Sequence, residues 1–269
     1  MSSADNSWII LTGSSRGLGH ALASAFRRQG FKVCSLVRKG SVEQARPVSD
    51  KCIAWDLEAA WTLNPAEELL QFVSSHAVIG YVHGAGLLGP MSEKPDPREG
   101  VAWNAWWQSY HATMRVNHTA GVEILCAIRA SLQAWKVGEN KRAPFVAHIS
   151  SGAAIKPYVG WDAYCSSKAA ILMEFKCLAA AFDADQLGVF SIAPGTIMTD
   201  MMRQVLAADP NAFPALPKFK SLQNSGGLVD PAQPAAQVAR WLLGSTADQL
   251  MPWHGELYDV RMNNPLTKS

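Results

Sequence analysis

The chain has 269 residues, 48% of them hydrophobic and 17% charged, with 24 Lys+Arg against 22 Asp+Glu for a formal net charge of +2. That balance excludes disorder as the main state, and the length suits one large α/β domain or two small ones, with a core that needs no metals or disulfides. Basic residues are scattered, the densest cluster running from Lys136 to Arg142 around Glu139, and no apolar run approaches the ~18 residues of a membrane span, so neither nucleic acid nor a bilayer is an expected partner.

The first residues carry Asp5 and no basic group before Trp8, which does not read as a secretory leader. Cys34, Cys52, Cys126, Cys165 and Cys177 form no C-x-x-C pair, so reduced thiols in a cytoplasmic protein are expected.

Short apolar runs alternate with longer helical patterns, as in a parallel sheet covered by helices on both faces. Trp8–Leu11 reads as the first strand. A helix over Leu18–Gln29 follows, with Leu18, Ala21, Leu22, Ala25 and Phe26 on one stripe and Gly30 at its end. Strands are predicted at Phe31–Val37 and Cys52–Trp55, then a helix opening at Asn64-Pro65-Ala66-Glu67, an Asn cap followed by Pro. Val78–His83 is the fourth strand, and a Gly- and Pro-rich passage from Gly84 to Gly100 leads to a long helix over Tyr110–Trp135. A strand at Phe145–Ser150, a helix at Ala163–Phe182 and a strand at Val189–Ala193 come next. Residues 200–228 read as an irregular loop of a length that usually carries function. Asp230-Pro231 caps a last helix through Leu243, and Glu256–Val260 is a candidate seventh strand. With no repeat or linker, one doubly wound α/β domain over residues 1–269 is expected.

Thr12-Gly13-Ser14-Ser15-Arg16-Gly17-Leu18-Gly19 joins the first strand to the first helix. Glycines let the backbone turn sharply and approach a pyrophosphate, and the helix N-terminus offers free N–H groups. The spacing G-x-x-x-G-x-G differs from G-x-G-x-x-G, and no Lys-Ser/Thr pair follows as a P-loop needs. Alone, the loop is as good a tight turn as a phosphate cradle; its place after the first strand favours the cradle.

Four further motifs stand in order behind it. They are His83-Gly84-Ala85-Gly86; Asn117 in the long helix; Ile149-Ser150-Ser151 with Tyr164-Cys165-Ser166-Ser167-Lys168 downstream; and Pro194-Gly195-Thr196-Ile197-Met198-Thr199. Together they resemble the short-chain dehydrogenase/reductase family over about Trp8–Asp259, with His83-Gly84 where the family usually has two asparagines. Gly160–Cys165, Ala193–Met201, Gly227–Asp230 and Glu256–Asp259 are similar to sepiapterin reductases and the related benzil and dicarbonyl reductases.

The resemblance implies a Rossmann-type sheet of about seven parallel strands and NADP(H) as cofactor. Gly13, Ser15, Arg16, Gly17, Leu18 and Gly19 would lie along the phosphates. Asp56 and Leu57 would lie beside the adenine, with Ala85 and Gly86 where the cofactor passes close. Pro194, Gly195, Ile197 and Thr199 would meet the nicotinamide. Tyr164 would supply a proton to a small-molecule carbonyl, Ser151 would hold its oxygen, Lys168 would bind the ribose, and Asn117 would brace a water. Tyr164 and Lys168 are four apart on a helix and share a face, so the ammonium is expected to lower the phenol from its usual value near 10. Glu256 would anchor a pterin, or else face solvent on an edge strand. The helices around 110–135 and after Tyr164 would form the seam of a homodimer or homotetramer.

The second strand ends Leu36-Val37-Arg38-Lys39, without the acidic residue that bonds a ribose 2′-hydroxyl, so Arg38 and Arg16 favour NADP(H). No metal site is expected: there is no H-E-x-x-H. Trp103, Trp106 and Trp107 are expected as core or interface anchors. The reading is therefore NADPH-dependent carbonyl reduction. An alcohol or steroid dehydrogenase of the same family and a non-catalytic NADP(H)-sensing regulator are the alternatives, the latter opposed by the intact Ser151, Tyr164, Lys168 and Asn117.

Overall fold

Strands β1 (Trp8–Thr12), β2 (Lys32–Val37), β3 (Lys51–Ala54), β4 (Val78–His83), β5 (Phe145–Ile149), β6 (Gly188–Ala193) and β7 (Leu257–Asp259) form one parallel sheet in the order β3-β2-β1-β4-β5-β6-β7. The structure, a computed structural model, describes residues 6–59, 63–133 and 143–261. The helices are α1 (Gly17–Arg28), α2 (Val42–Ala45), α3 (Leu63–Ser75), α4 (Val101–Met114), α5 (Ala120–Gln133), α6 (Asp162–Ala181), α7 (Asp200–Leu206), α8 (Leu216–Asn224), α9 (Ala232–Gly244) and α10 (Ala247–Leu250).

Both faces of the sheet are covered, which is why β1 is buried throughout. Its side chains alternate. Trp8 and Ile10 join Leu69, Ile124 and Ile171 from α3, α5 and α6, while Ile9 and Leu11 join Leu22, Phe26, Val238 and Leu242 from α1 and α9. The expected stripe on α1 is realised, with Arg27 and Arg28 in the last turn where a helix dipole favours cations. One register row across the sheet is polar: Thr12, His83, His148 and Ser191 stand side by side and all are buried.

The doubly wound sheet of seven strands agrees with the expectation, and two predicted elements are corrected. The helix expected over Tyr110–Trp135 starts at Val101, and a π-helical turn at Arg115–Thr119 splits it into α4 and α5. Residues 200–228 are not irregular but hold α7 and α8. Thr199 caps α7 by accepting the Met202 N–H at 3.3 Å, and Pro217 sits in the first turn of α8, where its missing N–H costs nothing. Trp135 and the basic cluster 136–142 lie outside the described residues. Among the described residues, no helix is long and apolar enough to cross a membrane.

Candidate active site

Strand order reverses at β1 and β4, and beyond their carboxyl ends lies a cleft of about 570 Å³. Every residue assigned from the sequence to cofactor or chemistry lines this cleft except Asn117 and Glu256.

At one end the glycine loop packs without side chains. A Cβ on Gly13 would stand 2.7 Å from the Ala85 nitrogen, and one on Gly19 would stand 2.1 Å from the Gly13 carbonyl oxygen. Any larger residue would therefore push strand, loop and helix apart. No acidic residue occupies the first turn of α1, so the helix dipole is free to meet phosphate. Arg16 and Arg38 stand on this rim, loosely paired with Asp200 at 3.6 Å and Glu58 at 3.9 Å. This glycine-lined cradle with two arginines at its edge fits a dinucleotide.

At the other end, α6 carries Tyr164 and Lys168, and Ser151 follows β5. Both Tyr164 and Lys168 are buried. The Lys168 ammonium donates to the Ile149 carbonyl at 2.8 Å, and its nitrogen lies 5.8 Å from the centre of the Tyr164 ring. Burial pushes the phenol up to about 12, partly offset by its hydrogen bond with Ser151. Burial also pulls the ammonium down to about 8. The expected lowering of the phenol is thus reversed: one N–H of the Lys168 ammonium goes to the Ile149 carbonyl, and at the phenol desolvation outweighs the nearby charge. Tyr164 holds its proton at neutral pH.

Asn117 stands just behind the cleft wall, its Oδ1 3.6 Å from where a Cβ on Gly86 would be. It is wholly buried in the π-turn, where its Oδ1 accepts the Leu87 N–H at 2.7 Å while its Nδ2 donates to the Leu87 carbonyl at 2.8 Å and to the Ser167 hydroxyl at 2.9 Å. This clamp fixes the backbone that follows Gly86. Beyond β6, Val229 bonds the Thr196 carbonyl at 3.2 Å and the Met198 N–H at 2.9 Å, as one rung of a parallel pair. The N–H and C=O of Ile197 therefore face away from Val229, on the side from which a carboxamide could be read. Thr199 also lines the cleft while its oxygen serves as a helix cap.

Glu256 is a correction. It is exposed and precedes β7, at the end of the strand opposite the cleft. By alternation it shares a face with Tyr258, which stacks on Trp241 of α9 at 4.1 Å. The acidic residue of this strand that lines the cleft is Asp259, which accepts two hydrogen bonds from the Arg261 guanidinium at 3.0 and 2.7 Å and one from the Arg261 N–H at 3.0 Å. Sequence reasoning also missed Glu58 and an aromatic wall of Tyr158, Trp161 and Phe219. Lys218 stands over Tyr158 and Phe219, 5.2 and 5.6 Å from their ring centres. Periodicity marks these aromatics only as core. Trp103, Trp106 and Trp107 form a chain of ring contacts along α4 and do not line the cleft. Among the described residues no group of three His, Cys, Asp or Glu is placed to hold a metal.

The model of the family described as short chain dehydrogenase matches residues 7–210. The chain belongs to that family. This short-chain dehydrogenase is 28% identical over 245 residues to benzil reductase ((S)-benzoin forming) of Bacillus cereus, covering 87% of this chain and 93% of that one. It is 30% identical over 268 residues to sepiapterin reductase of Rattus norvegicus, covering 93% and 96%. Its fold matches a short-chain dehydrogenase of Shigella flexneri complexed with NADP, with a TM-score of 0.74 and 22% identity over 96% of this chain and 100% of that one. It is an NAD(P)-dependent oxidoreductase.

Proposed function

We propose that this enzyme, working as one domain with α7 and α8 as its substrate-side cover, reduces small vicinal dicarbonyl compounds with NADPH. One observation carries the reading: Tyr164 is a buried phenol that keeps its proton, beside Ser151 and Lys168, in a cleft continuous with the glycine cradle. The cofactor, when bound, supplies the hydride. The protein holds the substrate oxygen between Ser151 and Tyr164, and the phenol gives that oxygen its proton as negative charge develops. The Lys168 ammonium stabilises the phenolate left behind. Tyr158, Trp161 and Phe219 exclude water from the reacting carbonyl. A phenol that keeps its proton at neutral pH is in the form that carbonyl reduction requires. A cytoplasmic location is the reading that the free cysteines support, and a homodimer or homotetramer through α5 and α6 is supported by Met173, a large apolar side chain 61% exposed on α6. Incubation with NADPH and a panel of diketones, followed by loss of reduced-cofactor absorbance, tests the reading. Turnover of simple alcohols with NADP+ and none of diketones would reverse it.

The Lys168 charge gives the reaction a pH signature. Its ammonium form, held to about 8 by burial, is present below that value and lost above it. The kcat/KM for reduction is therefore expected to be level near neutrality and to fall as pH rises through about 8. A profile that climbs over the same range would mean that Lys168 does not assist as a cation.

Removal of the Glu256 carboxylate should change little. Glu256→Ala is expected to leave KM for a pterin and for a simple diketone within about twofold of the parent, the range of an exposed substitution away from the site. A selective rise in the pterin KM would return Glu256 to the role of anchor.

A further inference from the structure

His83 departs from the asparagine usual in the family and has no part in the chemistry above. Its buried ring lies between Thr12, the last residue of β1 before the glycine loop, and the π-turn that carries Asn117. Nδ1 is 3.0 Å from the Thr12 hydroxyl oxygen and Nε2 is 2.9 Å from the Val116 carbonyl oxygen. A carbonyl only accepts, so Nε2 carries a proton. The Thr12 oxygen already accepts the N–H groups of Gly84 at 3.0 Å and Ala85 at 3.1 Å, so its own proton is the one facing Nδ1. The ring is then neutral, with Nδ1 bare. Burial agrees, holding the imidazole far below its ordinary value, at about 3. The Tyr81 hydroxyl spends its proton on the Gly121 carbonyl at 3.2 Å. With both nitrogens engaged and no charge to lose, the ring is unsuited to proton transfer, and its role is geometric.

The helix is shaped around it. A Cβ on Gly121, in the first turn of α5, would stand 2.8 Å from two ring atoms of His83. A π-turn widens a helix by one residue, and such turns recur at functional sites. Here the bond from the Ala120 N–H to the Arg115 carbonyl closes the turn, and Asn117 within it grips Leu87 at both its N–H and its C=O.

We propose that His83 is a positioning residue: its Nε2–H holds the Val116 carbonyl, keeps the π-turn in place, and through Asn117 sets the backbone from Gly86 to Leu87 that forms one wall of the cleft. The inference rests on the reading of that cleft as the reductase site.

Two amides separate the links. Asparagine reaches only to where Nδ1 stands and keeps the Thr12 contact; glutamine reaches to Nε2 and keeps the Val116 contact. For His83→Asn, amide hydrogen exchange in residues 116–121, measured without cofactor, is expected to quicken. Its kcat for a diketone should fall by about 10- to 100-fold, the scale of a misplaced site. His83→Gln is expected to restore the slow exchange and most of the kcat. Gly121→Ala, which displaces the ring without removing it, should repeat the His83→Asn result and stands in for it if that variant does not fold. Normal exchange and kcat in His83→Asn, equal losses in the two amide variants, or a fall in thermal stability alone would overturn the proposal. Should the parent enzyme not reduce diketones, the exchange comparison still decides the role of His83, and the functional reading falls separately.

Discussion

Replacing Tyr164 with phenylalanine should lower kcat for a diketone by ~10²–10⁴-fold or more while leaving NADPH binding and thermal stability near the parent values. General acid catalysis accounts for a loss of that order, and no other cleft residue is poised to replace it. Lys168 has an ammonium N–H on the Ile149 carbonyl, and the aliphatic hydroxyl of Ser151 is a far weaker acid than a phenol. The ring itself does not depend on the hydroxyl for its place. It packs edge-on against Trp161 at 5.5 Å, in a cluster with Val205, Phe213 and Leu216, and phenylalanine preserves those contacts. Steady-state kinetics on a diketone, paired with a fluorescence titration of NADPH, separates the two effects. Near-normal kcat in the variant would remove Tyr164 as the acid; an equal loss of NADPH affinity would make it a binding residue.

Arg38→Asp should shift the ratio of kcat/KM for NADPH over NADH toward NADH by about 10²-fold. A guanidinium meeting a phosphate makes paired, charge-assisted hydrogen bonds worth roughly 1.5–3 kcal/mol, and an aspartate there repels the phosphate while accepting from a ribose hydroxyl. The 3.9 Å contact with Glu58 is too loose to hold Arg38 against such a competitor. Glu58 also places a carboxylate near this corner that the end of β2 does not reveal. Glu58→Gln is accordingly expected to move the ratio the other way, by a few-fold only, because both groups are about half exposed. Equal use of the two cofactors by the parent would defeat both expectations.

Much of this is legible in the sequence. The strands read clearly because a parallel sheet covered on both faces makes each of them a nearly unbroken apolar run, as in Trp-Ile-Ile-Leu-Thr of β1. Most candidate site residues read clearly because their motifs follow strands β1, β4, β5 and β6, where the winding of the sheet gathers them, with Tyr164 and Lys168 joining from α6. What failed depended on register and local geometry. Glu256 lies a few residues from Asp259 in the chain, yet alternation and strand direction put it on the wrong face and at the wrong end. The π-turn has no composition of its own: Arg-Val-Asn-His-Thr would pass for ordinary helix. The first half of α4 was hidden behind the glycines and prolines that precede it, and α8 behind a proline that in fact starts it. The raised phenol was out of reach because desolvation depends on who covers the ring, and α7 and α8 do so from far along the chain.

That covering segment begins after Ile197 and ends before Val229, two residues bridged to each other outside the sheet. A loop whose ends are already pinned together pays only a slowly growing entropic cost for added length. Its inner side packs in a cluster apart from the two that flank the sheet, so its sequence can change without disturbing either. The result is a detachable roof on a fixed foundation. On the proposed function, the residues that act on the carbonyl stay with the foundation, while the range of ketones admitted is set by the roof. Exchanging residues 204–228 for the equivalent stretch of a relative is thus expected to change the substrates taken while keeping Asp200, the partner of Arg16 at the rim of the cradle.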